Sequence, residues 1–324
     1  MENQNQLDFK RFKEGKQKRK KKQQKRPTKN SKWNDQRNYS QVVEEYKKFE
    51  PTPNCSYDDY PLTLQLKEAL KIAQYPTPTP IQRATVHYAM RGHDILAKAK
   101  TGSGKTLAFL IPVMERLTFE RFGPEDGCGA LILSPTKEIA NQTYNEIRKL
   151  SHKCVISGAR VVGGGVEFKK EQKTIGRINI VIGTPGRIIH HLRNPDKNFP
   201  FNLDNLRMLV LDETDELVKN GGGSFEKQIN FILDSSPSDR QTLLFSATQT
   251  KKVNELKKVS LKNPKHIDLA EDAVSSLPDS LSTTYMVCEL DQKINILYSM
   301  IKLKHFRKKK ILVFLSTCAQ VSQN

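Results

Sequence analysis

The stretch DILAKAKTGSGKTLAFLIPVMERL, Asp94 to Leu117, decides the fold. It opens with a short apolar run, passes through a turn holding two glycines, and closes in a helical apolar run. Strand, Gly-rich turn and helix in that order are what a phosphate-binding loop needs. Within AKTGSGKT, Ala99 to Thr106, Gly102 and Gly104 let the backbone approach a phosphate and aim its N–H groups at it. Thr101 and Ser103 belong to the same cradle. Lys105 would reach the β- and γ-phosphates, where its charge also serves catalysis, and Thr106 would ligate Mg2+. An ordinary Gly-rich turn is the plainer reading, but G-K-T set between strand and helix argues against it.

The same alternation continues on the C-terminal side. GALILSP precedes KEIANQTYNEIRKL, and INIVIG, LRMLVLDE and QTLLFSA follow with near-continuous apolar character. Strands buried on both faces and separated by helices predict an α/β fold, a parallel sheet flanked by helices. This domain is expected over residues 57–270. A Ser-, Pro- and acid-containing linker is expected over 271–282. A fresh βαβ start over 283–324 then includes YMVCEL, the helical DQKINILYSMIKLK and the apolar run Ile311 to Leu315.

In LVLDETD, acidic residues stand at the end of a second apolar strand. Asp212 would hold the Mg2+, and Glu213 would orient an attacking water. Alone the pattern is an ordinary acidic strand end; beside the phosphate loop it becomes specific. PTPTPIQ reads first as a Pro-rich turn opening a helix. Tyr75, seven residues ahead of Gln82, could also stack on adenine, and the Gln82 amide could bond its N6/N7 edge. SPTKEIA, VVGGG, GTPGR and FSATQ are strand-to-helix turns. All would project from the carboxyl edge of the sheet, where α/β folds bind ligands. Lys137 or Arg187 there would suit a sugar-phosphate backbone.

The 54 Lys and Arg residues against 35 Asp and Glu give a net charge of +19. Residues 1–30 hold twelve basic and three acidic residues, so a polyanionic partner is expected. Residues 1–50 read as a disordered basic arm, with a short helix in SQVVEEYKKFE. The arm is either a solvated tail or a nuclear-localisation and RNA-contacting segment. Five scattered cysteines without C-x-x-C argue against a zinc site or a disulfide framework. No apolar run approaches the roughly 18 residues of a membrane span, and no secretory signal is visible. A soluble intracellular protein is expected.

Gln82, AKTGSGKT, PTKEIA, the Gly163–Gly164 doublet, TPGR, DETD and SAT stand in an order that resembles the DEAD-box RNA helicases. The resemblance covers residues 57 to 324. It implies two RecA-like domains closing on ATP and one RNA strand, with ATP hydrolysis driving local unwinding, in a protein acting as a monomer. Carried over, Tyr75 would stack on adenine and Gln82 would read it. Asp215 would join Ser246 and Thr248 in coupling ATP to RNA. Pro135, Thr136, Lys137, Glu138, Gly163, Gly164, Thr184, Pro185, Gly186 and Arg187 would line the RNA path. Segments between the motifs resemble the nucleolar subfamily acting in small-subunit ribosome assembly. That likeness implies pre-ribosomal or small nucleolar RNA, pre-ribosomal proteins and a nuclear, nucleolar location.

Departures from the family pattern are visible. Thr214 stands where the family usually has Ala, and Lys137 replaces an Arg. ELVKNGGGSF replaces the usual sequence after the acidic motif, and a mobile loop is expected around Gly221 to Gly223. VFLST, Val313 to Thr317, resembles the first motif of the second domain, but H-R-x-G-R-x-x-R with its arginine finger does not occur. Such a finger is worth about 10³–10⁵ in rate. An incomplete second domain and weak turnover are expected, so a catalytically weak ATP- and RNA-binding fragment is the alternative. Another P-loop ATPase, such as a DNA helicase, is disfavoured by Tyr75, Gln82 and S-A-T.

Overall fold

The computed structural model describes residues 35, 37–100, 102–151, 154, 156–163, 168–221, 225–248, 253, 255–256, 260–269, 281–303 and 309–315. Thr101, Gly164, Gly222, Gly223, nearly all of the expected linker and most of the basic arm lie outside these residues. The chain divides into two compact units, Met1–Asp272 and Ala273–Asn324.

Seven strands of the first unit form one sheet: β1 Ile95–Lys98, β2 Ala130–Leu133, β3 Gly158–Val161, β4 Ile180–Gly183, β5 Met208–Leu211, β6 Gln241–Ser246 and β7 Lys265–Asp268. Their order is β3-β4-β2-β5-β6-β1-β7, and every pairing is parallel. The described helices that flank the sheet are α1 Tyr39–Lys48, α2 Leu64–Ile72, α3 Pro80–Met90, α4 Lys105–Phe119, α5 Lys137–Ser151, α6 Phe168–Ile175, α7 Pro185–Arg193, α8 Thr214–Gly221 and α9 Phe225–Asp234.

The pleat sends alternate strand residues into two cores. Ile95, Ala97, Ile132, Val210 and Phe245 join the core that α1 to α5 cover, with Tyr46, Leu66, Ile81, Phe109 and Ile147. Leu96, Leu131, Leu209, Leu211 and Leu244 join the opposite core, with Ile175 of α6, Ile188 of α7, Leu217 of α8 and Ile232 of α9. Both faces of the central strands are therefore apolar, which is why their sequences run without alternation. The register also fixes where the strands end. Lys98 is level with Ser246, and Leu133 with both Leu211 and Gly183.

Two expectations need correction. The first is the arm, expected as far as residue 50: the short helix foreseen there is α1, and it packs into the domain. Val42 and Tyr46 are fully buried, Arg91 donates to the carbonyls of Tyr46 and Phe49, and the Arg116 guanidinium lies 4.6 Å from the Tyr39 ring centre. Val42 and Tyr46, four residues apart, lie on one face of the helix and enter the core, with Tyr39 and Phe49 packed against it.

The second is the βαβ start in the other unit. Its helix forms as α10, Lys293–Lys302, but residues 281–289 and 311–315 carry no strand. A strand exists through ladder bonds with a neighbour, and none is present among the described residues of this unit. Tyr285 is 94% exposed and Phe314 87%.

Candidate nucleotide and nucleic-acid site

Because all seven strands are parallel, the turns named in the sequence emerge at one edge. The phosphate loop follows β1, PTKE follows β2, Gly163 follows β3, TPGR follows β4, DETD follows β5 and SAT closes β6. Register places the loop next to SAT, and DETD next to PTKE.

Glycine is required twice in the loop. Gly102 and Gly104 have φ of 77° and 96°, in the left-handed region. A Cβ on Gly104 would also lie 2.6 Å from Nε2 of Gln82. The Gln82 side chain is buried against this turn. Its Nε2 donates to the Gly104 carbonyl at 2.9 Å, and its Oε1 accepts from the Thr79 N–H and the Tyr57 hydroxyl, both at 2.7 Å. The expected adenine reader is thus tied to the phosphate loop and to the start of its own helix. Lys105 is buried, and its Nζ donates to the Ala99 carbonyl at 3.1 Å.

The acidic turn is electrostatically loaded. Burial, then the Glu213 charge, pushes the Asp212 carboxyl up to about 7, with Lys105 opposing. Burial also raises Glu213, again against Lys105. Glu213 has φ of 46°, unusual for a side-chain-bearing residue. Thr214 is fully buried, with Oγ1 3.2 Å from the Leu211 carbonyl and 3.0 Å from the Phe245 carbonyl. Asp215 accepts from Thr248 Oγ1 at 3.0 Å and from the Ala247 N–H at 3.5 Å. Burial works to raise its carboxyl, but these bonds outweigh it and hold the group below the usual range. Ser246 Oγ donates to the Thr248 carbonyl at 2.7 Å. Thr248 thus joins the other two, its side chain bonding Asp215 and its backbone bonding the Ser246 hydroxyl.

The expected RNA-lining residues share the same edge. Lys137 and Glu138 are exposed at the start of α5, where Thr136 Oγ1 accepts from the Ile139 N–H at 3.3 Å. Thr184 caps α7, followed by buried Pro185 and exposed Gly186. Arg187 is turned inward. Its side chain is 10% exposed, with Nη2 2.8 Å from Glu171 Oε2, and its guanidinium lies 5.0 Å from the Phe168 ring centre. His191 Nε2 reaches the same Glu171 oxygen at 2.9 Å.

Tyr57, Glu171, His191 and Phe168 escaped the sequence reading. Tyr57 lies 25 positions from Gln82, and α6 reads as an ordinary lysine-rich helix. The Tyr75 hydroxyl donates to Glu146 Oε2 at 2.7 Å, and Lys149 Nζ stands 5.8 Å from its ring centre. Helix α5 therefore fixes the ring.

Residues 79–256 match the family model described as DEAD/DEAH box helicase. The chain belongs to that family. Among curated DEAD-box relatives it is 43% identical to the human "Probable ATP-dependent RNA helicase DDX10" over 282 residues, covering 87% of this chain and 31% of that protein. It is 44% identical over 266 residues to "ATP-dependent RNA helicase dbp4" of Aspergillus oryzae, covering 82% and 32%. The chain thus spans about a third of the length of these relatives. Among solved structures, that of a DEAD box protein from the hyperthermophile Methanococcus jannaschii matches with a TM-score of 0.60 at 29% identity. The match covers 77% of this DEAD-box chain and 64% of the other.

Proposed function

We propose that this protein is an ATP-dependent RNA helicase, coupling ATP hydrolysis to local RNA remodelling. One observation carries the reading: a single sheet edge holds the phosphate loop, the Asp212–Glu213 pair under the influence of Lys105, and the Asp215–Thr248 bond that ties the acidic turn to SAT.

In this reading Gly102 to Thr106, with Thr101, bind the phosphates, and Lys105 neutralises developing charge. Tyr75 and Gln82 face the adenine. Thr106 and Asp212 would hold Mg2+, which when bound clamps phosphate oxygens. A hydroxyl and a buried carboxyl suit that hard cation, because the cation returns to Asp212 the charge that burial disfavours. Glu213 orients the attacking water. Asp215, Ser246 and Thr248 couple this chemistry to RNA lying along Pro135 to Glu138, Gly163, Gly164 and Thr184 to Arg187.

We further propose that residues 283–324 belong to the start of a second RecA-like domain, joined by the linker 271–282, of which the described residues form the helix α10 but no strand. Pre-ribosomal or small nucleolar RNA is the proposed substrate, and the nucleolus the proposed location. The inter-motif segments and the basic run KQKRKKKQQKRPTKNSK support this reading.

The test is RNA-stimulated ATP hydrolysis by the wild type and Glu213→Gln. The variant should keep nucleotide binding and lose roughly 10²–10⁴ in turnover. Wild-type turnover that ignores RNA would overturn the reading.

A further inference from the structure

Thr214 is the one residue of the acidic turn to which the reading above gives no task. Its surroundings supply one. Strand β5 bonds β6 through alternate residues, beginning with the Arg207 carbonyl accepting from the Gln241 N–H at 2.9 Å. Leu211, level with Leu244, is the last residue of this ladder. On the far side of β6 the Ser246 carbonyl accepts from the Ala99 N–H at 3.2 Å, so the preceding carbonyl, that of Phe245, faces β5. Had β5 run on, the Glu213 N–H would have met it. Instead Glu213 turns away with φ of 46°. The Thr214 hydroxyl stands in its place, 3.0 Å from the Phe245 carbonyl.

Glu213 is thus stapled on both sides. Before it, the Asp212 N–H donates to the Leu133 carbonyl of β2 at 3.0 Å. After it, Thr214 reaches β6, one residue ahead of Ser246. A left-handed non-glycine residue persists only where its surroundings hold it.

We propose that the Thr214 hydroxyl is a positioning residue, which holds Glu213 in its left-handed turn and locks the acidic turn to the strand end bearing Ser246 and Thr248. This rests on the helicase reading for its catalytic consequence, and on geometry alone for the lock. The Ala usual in the family cannot make this bond.

The experiment compares Thr214→Val, Thr214→Ala and Thr214→Ser in the whole protein. Val keeps the shape, removes the proton donor and leaves no space for water at the Phe245 carbonyl. Ala leaves room for a water, and Ser keeps the hydroxyl. RNA-stimulated kcat should fall about tenfold in Thr214→Val, with KM for ATP changed less than about twofold, and stay within about twofold of wild type in Thr214→Ser. Thr214→Ala should lie between them. Packing alone gives the opposite order, with Ala worse than Val because of the cavity. A Thr214→Val kcat matching wild type, or Thr214→Ala falling below Thr214→Val, would overturn the proposal.

Amide exchange separates this outcome from failure of the helicase reading. Even if the wild type shows no RNA-stimulated turnover, the Phe245 to Thr248 amides should exchange roughly tenfold faster in Thr214→Val than in Thr214→Ser. Equal rates would remove the lock itself.

Discussion

The Tyr57 phenol donates to Oε1 of Gln82 across 2.7 Å. With the Thr79 N–H on the same oxygen, the Gln82 amide is fixed in one orientation, and its Nε2 points at the phosphate loop. Tyr57→Phe removes one of the two bonds that set this orientation and leaves no polar group of its own buried. A neutral hydrogen bond is worth about 0.5–1.5 kcal/mol, so KM for ATP should rise roughly two- to tenfold with kcat little changed. Steady-state kinetics with ATP and GTP check this, and an unaltered ATP preference would count against the orienting role.

Gly104→Ala should abolish nucleotide binding. The substitution forces a left-handed backbone on alanine and drives its Cβ to 2.6 Å from Nε2 of Gln82. Backbone strain of this kind costs of order 1–3 kcal/mol, and the Gln82 clash adds to it. Fluorescent-nucleotide titration together with thermal melting separates loss of the loop from loss of the fold. Normal affinity in the variant would show that the loop has another route to closure.

Glu115 links stability to pH. It is fully buried in α4, where its carboxyl accepts from the Thr63 N–H at 3.0 Å and the Thr63 hydroxyl at 2.6 Å. Burial pushes its pKa from 4.5 up to about 7, against the Thr63 bonds. The folded state therefore retains a proton that the unfolded state releases, and stability falls as pH rises from 4.5 to about 7. Glu115→Gln removes this slope, so its stability relative to wild type should improve by on the order of 3 kcal/mol between pH 4.5 and pH 8. Urea unfolding at the two pH values measures it, and parallel wild-type and variant curves would refute it.

Glu171→Ala should alter RNA binding and leave nucleotide binding alone. Glu171 holds Arg187 and His191 together at one oxygen, and Arg187 heads α7 at the expected RNA edge. Freed of its partner, the guanidinium loses its fixed position, and we expect RNA affinity to fall about three- to thirtyfold. Comparison with Glu171→Gln, which keeps one acceptor oxygen, shows whether geometry or charge matters. An Ala variant that binds RNA as tightly as wild type would exclude a positioning role.

The central strands β1, β2, β4, β5 and β6 were legible because they are short and apolar on both faces, whereas the edge strands β3 and β7, with Arg160 and Lys265 exposed, present no such run. The phosphate loop was legible because Gly102 and Gly104 are demanded by backbone geometry, which leaves a mark in sequence. Gln82 was found, but not its partner Tyr57, because long-range side-chain pairing has no period. Helix α1 was foreseen as a helix yet assigned to the disordered arm. Val42 and Tyr46 stand within a polar tract, and Arg91, which holds the helix, lies 45 positions from Tyr46. Thr214 was noticed as a departure, but its use depends on where β5 stops relative to β6. That is a property of register, which a single chain does not spell out.

The strand order also bears on how the protein is made. β1 carries the phosphate loop, yet its neighbours are β6 and β7, the last two strands of the sheet in the chain. On the ribosome β1 emerges early and stays without strand partners while β2, β3, β4 and β5 are synthesised. The loop's platform can therefore be completed only near the end of this domain's synthesis. An apolar strand exposed for that long is where a chaperone would be most needed.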